Sequence, residues 1–175
     1  MELKSSRIRH HKRIITLLML PLVLTGCSKE QKNYTLNEST FFLVMTNIQY
    51  YPEEYINKDI TFDCFTYELV STTGETYLCG VRKCASGFGC KCGKDTIIGF
   101  IMDKDIGLPE PKNQYEDTND KAWIHVTGQL ASADKKTFNI YGADNNEEEV
   151  QFLSFKIDSF SLIDDYQKLH YYVEK

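Results

Sequence analysis

Four of the six cysteines of this 175-residue chain lie within one short stretch, where their thiols could act together. They are Cys79, Cys84, Cys90 and Cys92. Gly87 and Gly89 precede the last two, and glycine adopts positive φ without steric cost, so the backbone can turn sharply around the sulfur atoms. The spacing predicts a tight thiol-rich knuckle that closes either on a metal ion or on itself through disulfides.

The metal interpretation assigns Cys79, Cys84, Cys90 and Cys92 as ligands of a soft divalent cation such as zinc. Thiolates in tetrahedral array suit Zn²⁺, and four sulfurs within this stretch are enough for one site. The Cys-x-Cys pair at 90 and 92 differs from the Cys-x2-Cys pair of the strongest zinc motifs. Cys79 must also point toward the knuckle, and the alternation of a strand leaves its direction open.

Two alternatives remain for the same cysteines. Outside the cytosol neighbouring thiols tend to be oxidised, which favours a disulfide-stabilised module that binds a protein, peptide or glycan. Four cysteines allow three connectivities, and the sequence does not choose between them. The second alternative is a thiol-disulfide redox protein using Cys90 and Cys92, although the Cys-x-x-Cys spacing of such proteins is missing.

The N-terminus carries a targeting segment. Met1–Arg13 is rich in lysine and arginine, and Ile14–Leu24 is an apolar run, which is the order of a secretory signal. The run is shorter than the about 20 apolar residues that span a bilayer. It ends in Leu-Thr-Gly-Cys27, which resembles the bacterial lipobox. The resemblance implies that residues 1–26 are removed and that Cys27 carries acyl chains such as palmitate, anchoring the protein on the extracytoplasmic face of the cell membrane.

The net charge restricts the partners. The whole chain has a formal net charge of −5, and residues 1–26 contribute five basic and one acidic side chain, so the remainder has a net charge of −9. Nucleic acid is bound through a positive face, so we expect no nucleic-acid partner. Attraction to anionic lipid is disfavoured for the same reason, which leaves the acyl chains as the membrane contact.

The composition divides the chain into three parts: a signal peptide at 1–26, a polar lipidated tether at 27–37, and one domain at 38–175. The domain opens with apolar residues at i, i+3, i+4 and i+7, beginning at Phe41 and ending at Ile48. This stripe predicts an N-terminal helix of about three turns that stops before Pro52.

From Ile60 onward the apolar period is two, which predicts short strands. We expect them near residues 60–65, 77–82, 96–102, 122–128, 137–141 and 152–163, with a polar loop at 103–120 and an acidic turn at 143–149. Cys64 is predicted to be a small core residue. His125 shares a strand face with Trp123, and we expect it to be packed or hydrogen-bonded. One helix followed by short strands indicates a mainly β fold, a small barrel or sandwich.

Several runs resemble a known family. They are Tyr51–Ile60, Val81-Arg82, Cys90-Lys-Cys92 followed by Ile97-Ile-Gly99, and Trp123-Ile-His-Val-Thr-Gly128. Together they resemble the OB-like C-terminal domain of an uncharacterised bacterial membrane-protein family that often accompanies a predicted permease. The resemblance implies a small OB-like β-barrel with one N-terminal α-helix. This chain departs from the family where Cys64 replaces a glycine and where Cys90-Lys91-Cys92 replaces an adjacent cysteine pair.

The sequence contains no arrangement that indicates catalysis. There is no Gly-x-Ser-x-Gly elbow, no phosphate-cradling loop and no His-Glu-x-x-His. The sequence therefore predicts a non-enzymatic lipoprotein that binds zinc in support of envelope transport. Its expected partners are the membrane, through the lipid, and a permease or another envelope protein.

Overall fold

Alternating apolar residues build the strands of this protein, and they pair into one sheet. The computed structural model describes residues 33–85, 95–102, 104–141 and 147–173. These residues are mainly β, with one α-helix near the N-terminal end of the described part, as the sequence predicts. The elements are β1 (Asn33–Thr35), α1 (Phe41–Tyr50), β2 (Asp59–Val70), β3 (Thr76–Ala85), β4 (Asp95–Met102), β5 (Trp123–Tyr141), β6 (Glu147–Leu162) and β7 (Tyr172–Val173).

The strand pairings form a closed ring of five strands. β2 pairs with both β3 and β5, β5 pairs with β6, β6 with β4, and β4 with β3. All of these pairs are antiparallel except β4 with β6, which is parallel. β1 adds to β2 and β7 adds to β3, each in parallel. The two short strands at the ends of the domain therefore extend the ring at β2 and at β3.

Helix α1 packs its apolar face against the sheet. Phe41, Met45 and Ile48 are buried, and Gln49 donates a hydrogen bond of 3.2 Å from Nε2 to the carbonyl oxygen of Gly99 in β4. The helix ends at Tyr50, before the proline at position 52 begins a short 3-10 turn, as predicted. Its N-cap is Thr40, which makes no capping hydrogen bond with its side chain.

Buried residues lie on both faces of the sheet, and they form two core clusters. The first core cluster includes Ile60, Phe62 and Cys64 of β2, together with α1. The second core cluster includes Phe65 and Leu69, which point to the other face of the same strand. Side chains from residues 163–171 pack against the second cluster. Apolar residues on both faces explain why strict hydrophobic alternation is weak in several strands.

The structure corrects three boundaries. Asn33–Thr35, predicted to belong to the tether, pair with β2, so the domain begins before residue 38. The strands predicted at 122–128 and 137–141 are one continuous strand, β5, which pairs with β6 on both sides of a register shift between Leu130 and Lys135. Glu147–Glu149 lie in β6 opposite residues 139–141 and are not part of a turn.

Candidate functional site

The cysteine-rich segment is attached at the shared end of β3 and β4. Ala85 and Asp95 are partners in the antiparallel pair, so residues 86–94 leave and rejoin the sheet at the same place. Cys90 and Cys92 belong to this segment and lie outside the described residues, as does Cys27. The described cysteines of the predicted site are therefore Cys79 and Cys84.

Cys79 and Cys84 lie in the same strand but on opposite faces of it. Cys79 belongs to the second core cluster and Cys84 to the first, and both side chains are fully buried. Five residues of extended strand span about 16 Å. Two sulfurs on one zinc ion are less than about 5 Å apart, because each Zn–S bond is about 2.3 Å. The structure therefore does not bring Cys79 and Cys84 together, and one metal ion cannot bind both.

Cys64 is a third buried thiol, and it serves as core. Its Sγ occupies the space that a side chain at residue 80 would need, 2.7 Å from an ideal Cβ on Gly80. Burial raises the pKa of the Cys64 thiol far above its ordinary value. Because the thiolate is the reactive form, a thiol held neutral in the core is inert. The prediction that Cys64 is a core residue is confirmed.

Arg82 is the buried charge nearest to the end of β3. Its guanidinium carbon lies 5.1 Å from the centre of the Phe41 ring and 5.0 Å from that of Trp123. One ring belongs to the first core cluster and the other to the second. Nη1 is 2.6 Å from Oε1 of Glu38, whose side chain is 39% exposed. Arg82 therefore joins α1, β3 and β5 at one point.

The donors of Arg82 are incompletely used within the described residues. Nε has no hydrogen-bond acceptor there, and no N–H of Nη1 is aligned for a hydrogen bond with Glu38 despite the short ion-pair contact. The two aromatic faces stabilise the cation in place of such bonds. Glu38 supplies the compensating negative charge from the solvent side.

We call Arg82, Phe41, Trp123 and Glu38 the Arg82 cluster. This cluster was not predicted from the sequence, although two of its members lie in stretches that the sequence singles out. Val81-Arg82 and the run that begins at Trp123 are two of the stretches that carry the family resemblance. These two stretches are far apart in the sequence, so the contact between Arg82 and Trp123 could not be predicted from it. Trp123 is buried, and its indole Nε1 donates a 2.7 Å hydrogen bond to the carbonyl oxygen of Asn119.

A cavity of about 410 Å³ lies beside this cluster. It is lined by Glu38, Asn119, His170, Tyr171, Tyr172 and Val173. Val173 is the strand partner of Cys84, so the cavity adjoins the end of β3 from which the cysteine-rich segment departs. Its walls offer a carboxylate, an amide, an imidazole and phenol rings, and its volume suits a small polar molecule or a side chain.

The loop before β5 is held by a buried lysine. Nζ of Lys121 donates hydrogen bonds to the carbonyl oxygens of Asn113 and Glu116 and lies 5.4 Å from the centre of the Phe65 ring. Asn119 Oδ1 accepts a hydrogen bond of 2.9 Å from the backbone N–H of Tyr171. These contacts fix the position of Asn119 in the cavity wall.

His125 is a solvent-exposed residue of β5, and the residue opposite it lies in β2. Its Nδ1 is 2.6 Å from Oδ1 of Asp63, the residue directly opposite on β2. The prediction that His125 is hydrogen-bonded is confirmed. The next pair along the strands, Thr61 and Thr127, is joined by a hydrogen bond of 2.9 Å between the hydroxyl groups.

Within residues 33–85, 95–102, 104–141 and 147–173, no three histidine, cysteine or acidic side chains come close enough to hold a metal ion. Among the same residues, no helix is long and apolar enough to cross a membrane.

Comparison with known proteins places the chain in a family. The model of the DUF1980 C-terminal domain matches residues 24–147, which is most of the chain. No curated protein and no solved structure matches it significantly. The matched range contains Arg82, Trp123 and the cysteine-rich stretch, and it ends before His170–Val173 of the cavity wall. The predicted resemblance to an uncharacterised family domain is thereby confirmed, and the protein belongs to the DUF1980 C-terminal domain family.

Proposed function

We propose that this protein is an extracytoplasmic lipoprotein whose OB-like domain binds a soft divalent cation such as zinc in support of envelope transport. It acts by binding and not as an enzyme, beside a permease or another envelope protein. The observation that carries the proposal is the pairing of Ala85 with Asp95. This pairing ties both ends of the segment bearing Cys90 and Cys92 to the strand end at which Cys84 lies.

The order of the strand pairings supports an OB-like barrel. An OB fold is a five-stranded, partly open Greek-key barrel. The ring β2–β3–β4–β6–β5 has five strands, and the parallel pair of β4 with β6 closes it. Helix α1 packs on the first core cluster as the expected N-terminal helix.

The geometry narrows the ligand set. Cys79 and Cys84 lie on opposite faces of β3 and cannot share one ion, and Cys84 is the nearer of the two to the segment that bears Cys90 and Cys92. We therefore assign the site to Cys84, Cys90 and Cys92. Cys84 is two residues before the segment, and Cys92 is four residues before Thr96, which is the strand partner of Cys84. Three thiolates leave one tetrahedral position for water or for a ligand from a partner, and an open position suits a protein that passes its metal on.

Elemental analysis of the purified full chain tests the metal proposal. We expect about one equivalent of zinc, lost on chelation together with part of the thermal stability, because metal binding is linked to folding. Cys90→Ser and Cys92→Ser should each abolish zinc retention. Cys79→Ser and Cys64→Ser are matched controls, and each should retain zinc when circular dichroism shows that it is folded. Zinc retained by a Cys90→Ser/Cys92→Ser double variant would contradict the proposal.

The cavity beside Arg82 favours a second candidate, a disulfide-stabilised module that binds a protein, peptide or glycan. A volume of about 410 Å³ accommodates one side chain or one sugar ring of such a partner. Alkylation distinguishes the candidates: the disulfide state requires a reductant before its thiols react, whereas the metal state requires a chelator. Thiols that react at once, without either reagent, favour the thiol-disulfide redox alternative.

The lipid anchor is tested separately by intact-mass spectrometry of membrane-extracted protein. The basic segment, the apolar run and Leu-Thr-Gly-Cys27 support removal of residues 1–26 and acylation of Cys27. We expect a mass that starts at Cys27 and includes added acyl chains. Cys27→Ser should release the protein from the membrane fraction, and a soluble wild-type protein of unmodified mass would contradict the anchor.

A further inference from the structure

The solvent-facing side of α1 is uncharged and carries large exposed side chains. Leu43 and Tyr50 are seven residues apart and lie on the same side of the helix, and Tyr51 follows directly. Their exposed fractions are 63%, 62% and 57%. None of the ten residues of α1 is charged, in a chain of which 26% is charged. We name Leu43, Tyr50 and Tyr51 the α1 patch.

The α1 patch lies close to the point where the chain enters the domain. The turn Pro52–Tyr55 follows α1. The centre of the Tyr55 ring lies 5.0 Å from the centre of the Tyr34 ring in β1. Asn33, the first residue of β1, pairs with Asp59 just beyond that turn. The C-terminal end of α1 is therefore beside the start of β1.

The length of the tether limits how far the α1 patch can be from a membrane. Asn33 is the sixth residue after Cys27, and six extended residues span at most about 20 Å. An acylated Cys27 would sit in the headgroup region, so the N-terminal end of the domain would be held within this distance of the bilayer. Among the described residues, the first large exposed apolar and aromatic side chains after that end are those of the α1 patch.

We propose that the α1 patch rests in the membrane interface and orients the domain on the bilayer. This inference rests on the lipid anchor of the proposed function. Tyrosine favours the interface because its ring is apolar and its hydroxyl is polar, and Leu43 adds an apolar contact. Glu53 and Glu54 are exposed beside the patch, so the headgroups that fit it are zwitterionic and the two carboxylates stay in water.

Quenching by brominated lipid tests the inference in the full, lipidated chain. Tyr50→Trp places a reporter in the α1 patch, and Tyr115→Trp places a matched reporter at an exposed tyrosine of the loop before β5. The buried Trp123 of the otherwise unchanged protein provides the background. In phosphatidylcholine vesicles with brominated acyl chains, we expect several-fold stronger quenching of the reporter at 50 than at 115. Adding Leu43→Ser and Tyr51→Ser should remove most of that difference.

Mass spectrometry and fluorescence quenching test the lipid anchor and the membrane contact of the α1 patch separately. Mass spectrometry of the same sample reports acylation. An acylated, vesicle-bound protein whose reporter at 50 is no more quenched than that at 115 overturns the inference and leaves the anchor standing. An unmodified mass overturns the anchor and the inference together.

Discussion

The guanidinium carbon of Arg82 lies 5.0 Å from the centre of the Trp123 ring. Arg82 is in β3 and Trp123 begins β5, and both side chains are almost completely buried. The indole covers one face of the cation, and Phe41 of α1 covers it from its own side at 5.1 Å. Arg82 therefore contacts residues of both core clusters. We expect the stability of the domain to depend on Phe41, Trp123 and Glu38, which surround this buried charge.

Trp123→Ala should lower the free energy of unfolding by about 3 to 5 kcal/mol, because removing a large buried ring leaves a cavity and uncovers Arg82. Urea denaturation measures the change. Tyr115→Ala is the control, since this residue is 79% exposed and its ring packs in a T-shaped arrangement with that of Tyr67, and it should cost less than about 1 kcal/mol. Equal losses in the two variants would contradict the assignment of Trp123 to the core.

Glu38→Gln should lower the free energy of unfolding by about 1 to 2 kcal/mol, because the buried guanidinium loses its counterion. The loss is smaller than for a fully buried pair, since Glu38 is 39% exposed and solvent screens it. Glu110→Gln, at an exposed loop position, should change stability by no more than about 0.5 kcal/mol.

Adding Arg82→Met to Glu38→Gln extends this test. An apolar side chain of similar length removes the uncompensated charge, so the double variant should be no less stable than Glu38→Gln alone. A large further loss in the double variant would show that Arg82 stabilises the fold without help from Glu38.

Gly99→Ala should cost about 3 kcal/mol or more. A Cβ at this position would be 2.0 Å from the carbonyl oxygen of Gly80 and 2.8 Å from Cα of Val81, so β3 and β4 would have to separate. Gly107→Ala is the matched control: its φ of +73° strains alanine by about 1 to 2 kcal/mol, but open space surrounds it. Thermal or urea unfolding of both variants measures the difference, and an equal cost would contradict the close approach of the strands.

Cys64 should make stability fall at alkaline pH. Burial raises the pKa of its thiol in the folded state above the ordinary value of 9.0, so the unfolded chain loses the proton first. The contribution is fully present below about pH 9 and is lost as pH rises, by at most about 1.4 kcal/mol per pH unit. Urea denaturation between pH 7 and pH 10.5 should show the difference between wild type and Cys64→Ala shrinking above pH 9. Parallel curves would mean that the thiol ionises in the folded protein.

Local periodicity was sufficient to predict α1 and most of the strands. The apolar stripe from Phe41 to Ile48 has the helical repeat, and the proline at position 52 prevents continuation, so the helix could be predicted from neighbours along the chain. Cys64 shares a strand face with Ile60 and Phe62 at a period of two, which predicted that it lies in the core. These predictions needed only the geometry of one element.

The position of the candidate site depends on pairing between strands, which the sequence of one strand does not show. The sequence predicted a strand ending near residue 82, but pairing with β4 carries β3 to Ala85, and this extension places Cys84 in the strand on the face opposite Cys79. Pairing with β6 likewise makes β5 continuous through residues that show no alternation. Backbone hydrogen bonds from a partner strand decided these boundaries, since the side-chain pattern of one strand does not report them.

The sequence by itself determined the mainly β class, the N-terminal helix and the family. The tertiary structure alone decided that Arg82 is enclosed by Phe41 and Trp123 and that Glu38 faces it. The physical reason is that burial of a charge depends on groups brought from several elements, and local sequence does not encode which of them meet.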